Sequence, residues 1–567
     1  MNQDDFKQLK KRFNVVWQKR TQDMDAYCKD IAKHVLPETI KFIDNAETHD
    51  RANWSQVVDN TGKSSLKVLS AGMVSGTCSP SRPWFSLTVS DPQLKKDVQI
   101  KQWLSNVEDI CYAEFAKSNM YRAVHHIFVQ EGAFGIGAAL VPEVKASDLN
   151  KPLMHLIPLT FGEYAITTDF YNKPDGMYRK FKLTVENIVD EFGIDKVSDG
   201  IKNAHEQKNL DKEYTICHAI YRRKDAKGNG AKGMAYASIY YEESSTEQVL
   251  RESGFEQFPC VCPRWSVSSS DVYGNGAAGE CLGDMRAIQL GHEQIARGVD
   301  YQVNPPLLIP AYLKGQEKQT LPNGIAYYNP SPIDQAHQVQ SMLNVQFDLN
   351  GVASQIQDCR ERVRSAFHTD LFLMLDQFDQ GRMTATEVAE RKNEKMLMLG
   401  PVVERQSDEL LRPLVEMCFQ RVLDRYPQLL QSAPQALQGA EIKVDFVSIL
   451  AQAQKAAGSQ SLERFASVVA NIAQLKPDAL DKFNSDGFLD EYAEINGVPP
   501  TAITDQKTLQ LIRKQRAEAQ AQAQQQQDML AQAQMQEQQA NALQTVSNTD
   551  SENLQDMMAE SNTGMPI

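Results

Sequence analysis

The chain has 567 residues, 42% of them apolar, and its formal net charge is −14 at pH 7. That length and apolar content can bury several cores, which predicts roughly three or four domains. The acidic charge argues against a conventional DNA-binding protein, because such proteins displace counterions from DNA with a basic surface. The sequence has no apolar run of about eighteen residues and no apolar core within MNQDDFKQLKKRF. We therefore expect a soluble protein, made in a cytoplasm, with no membrane partner.

Nine cysteines are scattered along the chain, and only Cys260 and Cys262 are near neighbours. A single residue separates them, whereas the cysteine pairs of zinc sites are usually separated by about two. We therefore expect buried thiols rather than a disulfide framework, and neither a metal nor a cofactor.

The N-terminal part is predicted to alternate helices with short strands. Residues 4–36 predict a helix, because Phe13, Trp17 and Ile31 recur at helical spacing and Pro37 follows. Gly135 and its neighbouring glycines mark a close-packed turn. The other predicted helices span 54–75, 98–117 and 120–134, and the predicted strands span 85–89 and 138–144.

Between about residues 153 and 265 the pattern becomes alternating and rich in aromatic residues. This pattern predicts a small β-rich subdomain, interrupted by a helix over 184–192. The predicted strands span 155–159, 164–168, 177–183, 214–221, 234–241 and 258–265. The N-terminal half is therefore mixed α and β.

Two predicted helices flank a strand-like, turn-rich segment in the middle of the chain. The first runs from Gly279 to about Val303, and the second from Ile333 to Phe367. NPPLLIPAYLKGQEKQTLPNGIAYYNPSP lies between them. Periodicity alone leaves open an ordinary helical hairpin with a β excursion.

The next segment, HTDLFLMLDQFDQG at 368–381, places an apolar cluster ahead of acidic and amide residues. A buried connector is one interpretation, because it would be costly to expose this cluster. A long charged helix should then begin near Ala385, since Thr384 and Glu387 have the spacing of a capping box. Gly400 and Pro401 should kink or split that helix, because proline lacks a backbone donor and crowds the preceding turn.

After residue 440 the pattern is largely helical, over 450–476, 477–483, 487–495 and 501–543. The last of these is rich in Ala, Gln, Glu and Arg and has little apolar face. We expect it to be a marginal helix or disordered when isolated. Residues 545–567 are predicted to be disordered.

Two glycine-containing segments resemble nucleotide-binding motifs. NTGKSS at 60–65 lacks the first glycine of a phosphate loop, because Val57 stands at that position. Gly274, Gly276 and Gly279 match a dinucleotide fingerprint, with Asp300 about twenty residues later. The polar SSSD at 268–271 stands where a buried strand should lead into that turn, which favours a helix-entry loop.

Other constellations are equally incomplete. A calcium loop around Asp486 would need ligands at Lys482 and Ala493, which cannot supply a carboxylate. His125 and His126 are adjacent, so on a helix they point in different directions and cannot chelate one metal ion. We predict no catalytic residue and no enzymatic activity.

Three segments carry a resemblance to a known family: SPSRPWFSL at 79–87, NPPLLIP at 304–310 and RMTATEVAERKNEKMLMLGPVVERQSDELLRP at 382–413. In this order they resemble the head-to-tail connecting (portal) proteins of short-tailed, T7-like bacteriophages. The resemblance extends from about residue 10 to about residue 500. These segments are structural signatures, so they imply an assembly and no active site.

The resemblance implies an α+β, predominantly helical, multi-domain subunit that forms a ring of about twelve copies around a central channel. The domains it implies are a wing region at 1–280 that contains the β-rich part at 153–265, a stem helix at 281–302, a clip at 303–336, a second stem helix at 337–367, a channel loop at 368–383, a long kinked helix and return to the wing at 384–440, a helical crown at 441–500 and a barrel or tail at 501–567.

It also implies the residues of interest. These are Leu371, Phe372, Asp376, Gln377, Asp379 and Gln380 in the channel loop, Thr384 and Glu387 at the loop-to-helix cap, Gly400 and Pro401 at the kink, and Asn304, Pro305 and Pro306 in the clip.

The implied function is structural: a connector ring at one capsid vertex of the virion, through which the genome is packaged, retained and ejected. The implied partners are other copies of the chain, the major capsid and scaffolding proteins, the large terminase subunit, tail adaptor or nozzle proteins, and double-stranded DNA that passes without sequence specificity. One alternative is a tail adaptor or scaffold with no channel role. The other is a nucleotide-dependent enzyme, which rests on the incomplete motifs.

Overall fold

The structure is a computed structural model of the chain that separates into two units, Met1–Phe483 and Asn484–Ile567. The residues that it describes are 3–44, 57–91, 93–144, 151–224, 230, 233–245, 248–305, 307–310, 325–328, 340–341, 349–373, 399–437, 439, 441–446, 463–472, 483–496, 504 and 506–560.

The helices of the first unit are numbered in chain order as far as α12. They are α1 Gln3–Arg20, α2 Ala26–Val35, α3 Ile40–Asp44, α4 Thr61–Thr77, α5 Val98–Lys117, α6 Met120–Phe134, α7 Val185–Phe192, α8 Asp199–Glu206, α9 Ala277–Glu280, α10 Leu282–Val303, α11 Leu349–Ala366 and α12 Thr369–Leu373. Later helices are Gly400–Gln406, Arg412–Arg425, Pro427–Gln431 and 463–472, with a π-helical turn at Ser407–Leu411.

The strands form four small sheets. They are β1 Phe85–Val89, β2 Ala138–Leu140, β3 Ile157–Leu159, β4 Tyr164–Thr168, β5 Pro174–Thr184, β6 Glu213–Arg222, β7 Tyr236–Glu242, β8 Arg251–Phe255, β9 Cys260–Val261, β10 Leu307–Pro310, β11 Ile325–Tyr328, β12 Gln340–Ser341 and β13 Ile442–Phe446. The sheet orders are β1-β13, β3-β2-β9, β4-β5-β6-β7-β8 and β11-β10-β12.

Several predicted elements are confirmed at their ends. Helix α5 begins after Asp97, whose carboxylate accepts a hydrogen bond from the Gln99 backbone N–H at 2.8 Å. Helix α6 ends at Gly135, which has a left-handed φ of +80°. The predicted helix 4–36 is helical as far as Val35, as α1, a π-helical turn at Thr21–Asp25, and α2.

The main core lies where α4 and α6 cross and where Gly135 meets Gly274. A Cβ atom on Gly132 would come within 2.9 Å of Leu66 and Leu69 on α4, so the two helices approach closely. A Cβ atom on Gly135 would lie 2.1 Å from the Gly274 carbonyl oxygen. The predicted close-packed turn is therefore confirmed, because only glycine fits both the conformation and the space.

The β-rich subdomain is an antiparallel five-stranded sheet, β4 to β8 in chain order. Helix α1 packs on one face through Phe6, Leu9 and Phe13. The pair α7–α8 packs on the other face. The subdomain was predicted over 153–265, but the strands predicted at its two ends, β3 and β9, pair with β2 in a separate sheet. Strand β8 was missed, since Arg251–Phe255 contains a glycine and three polar residues.

Some predicted boundaries were wrong. The helix predicted from residue 54 begins at Thr61, because the Asp59 carboxylate accepts the Thr61 backbone N–H at 2.8 Å and residues 57–60 are not helical. The helix predicted from residue 333 is described only from Leu349, and Gln340–Ser341 is instead a strand paired with β10. The segment after residue 440 begins with β13, which pairs antiparallel with β1.

The second unit contains helix Ser485–Asn496 and the 55-residue helix Gln506–Glu560. The longer helix spans about 80 Å at about 1.5 Å per residue. It continues through residues 545–560, where the sequence had predicted disorder. The reason is that no glycine or proline interrupts the segment, and its Ala, Gln and Glu residues favour a helix.

All nine cysteines are buried free thiols, as predicted. Among the described residues, no helix is both long and apolar enough to cross a bilayer.

The contact at Gly135 can be tested with a matched pair of substitutions. Gly135→Ala should cost about 3 kcal/mol or more, because it adds a backbone clash to the strain of a positive φ. Gly439→Ala should cost only about 1 kcal/mol, because Gly439 also has a positive φ, of +84°, but nothing lies within 4 Å of its added Cβ atom. Urea denaturation of the two purified variants measures the difference. Equal losses would contradict the close approach of Gly135 to Gly274.

Candidate functional site

The candidate site is centred on the pair of helices α10 and α11, which pack against each other. A Cβ atom on Gly291 of α10 would lie 3.0 Å from Ile356 of α11, so the helices are in close contact there. The start of α10 is buried through Met285 and Ile288. Its end is exposed, with Val303 70% accessible. The pair therefore leaves the main core at one end and extends beyond it at the other.

A buried carboxylate ties this helix pair to the start of α4. Asp59 is 7% exposed, and its Oδ2 atom accepts hydrogen bonds from Nε and Nη2 of Arg360 on α11, at 3.0 and 2.7 Å. The ring of His292 on α10 lies 3.2 Å from the same oxygen. The Gln289 side chain, also on α10, donates to the Asp59 carbonyl oxygen and accepts from the Asp59 backbone N–H, at 2.9 and 3.2 Å. One residue thus contacts three helices that are far apart in sequence.

The hydrogen bonds at Asp59 keep it ionised. Burial alone would raise its pKa, but the hydrogen bonds from Thr61 and the adjacent Arg360 guanidinium outweigh burial and lower the pKa to about 2. A second ion pair between Arg362 of α11 and Asp284 of α10, at 2.7 Å, lies at the surface, where it contributes less.

The chain leaves α11 through a tight turn and enters the short helix α12. His368 has a left-handed φ of +50°, and the Thr369 hydroxyl donates to the Arg364 carbonyl oxygen at 2.5 Å. Leu371 and Phe372 are then 3% and 8% exposed. A Cβ atom on Gly72 of α4 would lie 2.2 Å from the Phe372 ring, so this ring packs directly on the helix backbone.

These positions assign two of the predicted loop residues to packing. Leu371 and Phe372 belong to the main hydrophobic core, which is the buried-connector interpretation of the apolar cluster. The polar candidates Asp376, Gln377, Asp379 and Gln380 lie outside the described residues, as do Thr384 and Glu387 of the predicted cap. The described chain resumes at Leu399, which is fully buried in the same core.

Gly400 and Pro401 start the helix Gly400–Gln406, with the proline in its first turn. A proline favours that position, because the first turn leaves its backbone donors unpaired in any case. The helix continues into the π-helical turn, where Glu409 accepts two side-chain hydrogen bonds from the buried Arg264, at 3.2 and 2.6 Å. This ion pair fastens the returning chain to the turn that follows β9.

Residues of the predicted clip lie at the far end of α10. Asn304 ends the helix, and its backbone N–H donates to the Asp300 carbonyl oxygen at 2.8 Å. Pro305 follows, and Pro306 lies outside the described residues. Strand β10 then pairs parallel with β11 and antiparallel with β12, so a small three-stranded sheet stands between α10 and α11. The predicted order of helix, β insertion and helix is confirmed.

The glycines that match the dinucleotide fingerprint serve in packing. A Cβ atom on Gly276 would lie 2.6 Å from the Glu131 carbonyl oxygen, and one on Gly274 would lie 2.4 Å from the Gly135 carbonyl oxygen. Protein backbone therefore fills the space that a pyrophosphate would need. Residues 60–65 begin α4 beside the anionic Asp59, which opposes the binding of a second anion there.

The other ligand sites considered in the sequence, for metal ions, are not formed by the described residues either. They contain no group of three or more His, Cys, Asp or Glu side chains that could hold a metal ion. Asp486, in the segment that mimics a calcium loop, forms a bidentate ion pair with Arg513, with both distances at 2.7 Å. His126 is largely buried, which lowers the pKa of its ring, and it lies on α6 within the main core region.

Sequence reasoning missed the network around Asp59. Its only local signal was an acidic residue two positions before the start of a helix, a common capping arrangement. Its partners Gln289 and Arg360 are 230 and 301 residues away, so no spacing could have indicated them.

Comparisons with known proteins agree with one another. A profile of the family described as bacteriophage head to tail connecting protein matches residues 6–504. The probable portal protein of Bordetella phage BPP-1 is 40% identical over 498 residues, which cover 87% of this chain and 88% of that protein. The portal protein of Salmonella phage epsilon15 is 33% identical over 498 residues, with the same two shares.

Among solved structures, a chain from the neck of an empty gene transfer agent particle, computed with C6 symmetry, covers 82% of this chain and 94% of its own length. The identity is 10% and the TM-score is 0.33, a level of superposition from which we conclude nothing.

The charge on Asp59 is expected to stabilise the attachment of the helix pair. Asp59→Asn should cost about 2 kcal/mol, because it leaves Arg360 without its anion. Asp284→Asn is the control, since it removes a more exposed ion pair of the same helix and should change little. Thermal and urea denaturation of both variants measures the two effects. Equal effects would contradict the special role of the buried carboxylate.

The same contribution should depend on pH in one direction. Because the folded pKa of Asp59 lies below its ordinary value of 3.8, its stabilising effect is present above about pH 4 and is lost as the pH falls toward 2. The difference in denaturation midpoint between the native chain and Asp59→Asn should therefore shrink over this interval. A difference that stays constant down to pH 2 would show that the charge of Asp59 is not its cause.

Proposed function

The chain belongs to the family of bacteriophage head to tail connecting proteins, and we propose that its copies form a closed ring between head and tail through which the DNA passes. It is a portal-type connector of the virion. In the proposed ring, which has about twelve copies, neighbouring subunits meet through unlike surfaces, since a closed cyclic ring larger than a dimer requires heterologous contacts.

In addition to family membership, the helix pair and the sheet inserted between its two helices support this proposal. Helices α10 and α11 pack together and extend from the core, and strands β10 to β12 lie between them in the sequence. The chain re-enters the core at α12. We assign α10 and α11 as the stem and the three-stranded sheet as the clip. The second stem helix is then Leu349–Ala366 rather than 337–367, because Gln340–Ser341 belongs to the sheet.

The remaining assignments follow the family layout. Residues 1–280, with the returning helices of 399–437, form the wing and the body. Strand β13 belongs to that body because it pairs with β1, so the crown is 447–500 rather than 441–500. The long helix Gln506–Glu560 gathers with its copies into a barrel. In the proposed assembly, the capsid shell and scaffolding proteins, the large terminase subunit and the tail adaptor proteins dock on this ring.

We propose that residues 374–383, at the start of the segment between Leu373 and Leu399, contribute the loop that faces the DNA. Both anchors of this segment are in the main core, Leu371 and Phe372 before it and Leu399 after it. Because both ends of the segment are anchored in the core, the loop can move without a change in the rest of the subunit. It can then present Asp376, Gln377, Asp379 and Gln380 to a sliding duplex. Carboxylates repel the phosphates, and the uncharged glutamine amides bind them less strongly than lysine or arginine would, which suits a duplex that must move.

The proposed role is structural, so it needs neither a nucleotide nor a metal ion. The relatives carry the name portal protein, which favours a portal over a tail adaptor that has no channel role.

The ring itself is tested by mass. Purified protein in light scattering should give a mass of about a dozen copies of 63.7 kDa, and negatively stained particles should have a central hole with high rotational symmetry. A stable monomer at micromolar concentration, or a twofold dimer, would contradict the proposal.

The loop is tested by deletion. Removing residues 376–380 should leave ring assembly intact and reduce the fraction of DNA-filled particles, because the anchors on both sides remain. Phe372→Ala is the matched control, which should destabilise the subunit by about 3–5 kcal/mol through the lost core packing. Ring mass, denaturation midpoint and DNA content per particle are measured for both. Normal filling and retention by the deletion would remove the loop from the mechanism.

A further inference from the structure

Helix α1 is basic within an acidic protein. Helix α1, Gln3–Arg20, contains six lysine or arginine residues and two aspartates, Asp4 and Asp5, which both lie in its first turn. The whole chain, by contrast, has a net charge of −14. Such a concentration of one sign on one helix sets up a local field that the net charge conceals.

Most of the basic side chains of α1 are exposed to solvent. Phe6, Leu9 and Phe13 are buried against the five-stranded sheet, so the opposite side of the helix is exposed. Lys7, Lys11, Arg12 and Lys19 lie on that exposed side, around Val15, which is 57% accessible. Among the described residues, Lys7, Lys11 and Lys19 have no ion-pair partner. We call this exposed side the basic face.

The other side of the same sheet carries the opposite charge. In α7 and the turn after it, residues 185–196 contain four acids and one lysine, Lys196. Glu191 is paired with Arg251 of β8 at 2.7 Å, which leaves Glu186, Asp190 and Asp195. Val185, Ile188 and Phe192 are buried toward the sheet, so these acids point outward. Ile194 lies among them and is 39% accessible. We call this the acidic face.

The alternation of residues along the strands places the two faces back to back. On β5, Tyr178 packs under α1, whereas Phe181 packs under α7. On β6, Cys217 and Ala219 pack under α1, whereas Ile216 packs under α7. Since successive side chains of a strand point to opposite faces, the basic and acidic faces are directed away from each other across one sheet.

We propose that the basic face of one copy docks on the acidic face of the next copy around the ring. This inference rests on the proposed function, because it needs a ring of identical subunits. A twofold dimer through either face would bring like charges together, which is unfavourable. Head-to-tail contacts bring unlike charges together at every interface, and they also close a ring.

The chemistry of the two faces resembles that of a protein interface. Each has one exposed aliphatic side chain, Val15 or Ile194, surrounded by charge, which is the usual arrangement of an apolar centre and a polar rim. Individual exposed ion pairs contribute little, so the charges mainly select orientation and speed association. The contact should therefore weaken as the ionic strength rises.

Other occupants of the basic face are less well supported. A membrane would need the apolar side of α1, which the sheet already covers. Duplex DNA would satisfy the lysines but would leave the acidic face unexplained, and the experiment includes it as an outcome.

The test is a charge swap in the full-length chain. Lys7→Glu with Lys11→Glu reverses the basic face, and Glu186→Lys with Asp190→Lys reverses the acidic face. Each double variant should weaken ring assembly at low salt by at least about tenfold, because every interface then opposes like charges. The chain that carries all four substitutions should recover assembly, since its faces are again complementary. Sedimentation measures the ring fraction, and circular dichroism checks that each variant is folded.

A matched control separates position from net charge. Lys67→Glu with Lys101→Glu changes two exposed lysines on α4 and α5 and gives the same net charge as the first variant. It should assemble like the native chain. If the native chain forms no ring, the proposed function itself fails.

If the native chain forms rings and both double variants do so equally well, only this inference is overturned. Failure of the fourfold variant to recover overturns it as well. Intact rings of Lys7→Glu with Lys11→Glu that bind a random-sequence DNA duplex less well than native rings would assign the basic face to DNA, and would also overturn the inference.

Discussion

The position of the α10–α11 helix pair depends on one buried charge. The negatively charged carboxylate of Asp59 lies between α4, α10 and α11. It is stable there only while Arg360 and the Thr61 backbone N–H donate hydrogen bonds to it. Hydrophobic contacts such as Gly291 with Ile356 bring α10 and α11 together, but those contacts are not directional. The carboxylate adds direction, because its hydrogen bonds fix which turn of each helix faces the start of α4. The direction in which α10 and α11 leave the main core is thereby fixed.

A similar arrangement holds the chain where it returns to the core. Arg264 and Glu409 join the turn after β9 to the π-helical turn at Ser407–Leu411. Beside them, Gln406 donates to Glu131, whose pKa is raised well above its ordinary value by burial. Gly274 and Gly276 let the backbone approach Gly135 at the same place. Glycines that resemble a phosphate-binding loop in the sequence therefore allow close backbone packing instead. A glycine motif indicates a ligand site only when the expected strand precedes it and the expected helix follows it.

Local signals account for the part of the fold that could be predicted. Asp97 and Gly135 mark helix ends by capping, and the bounds of α5 and α6 follow from them. What the sequence could not indicate depends on distant partners. Strand β13 is a strand because it pairs with β1, more than three hundred residues earlier, and Gln340–Ser341 is a strand because β10 lies beside it. At the candidate site, the burial of Phe372 depends on the absence of a side chain at Gly72, and the ionisation of Asp59 depends on Arg360.

The net charge does not describe the surfaces of this subunit, because charges of opposite sign lie on different faces. The sum of −14 describes a chain that repels its copies, yet the five-stranded sheet separates a basic helix from an acidic one. That separation requires a sheet covered by helices on both faces, since a helix packed on only one face would expose apolar side chains on the other. The apolar alternation along β5 and β6 therefore has two consequences. It buries two separate cores, and it directs unlike charges away from each other, which is the arrangement that the proposed head-to-tail contact between copies requires.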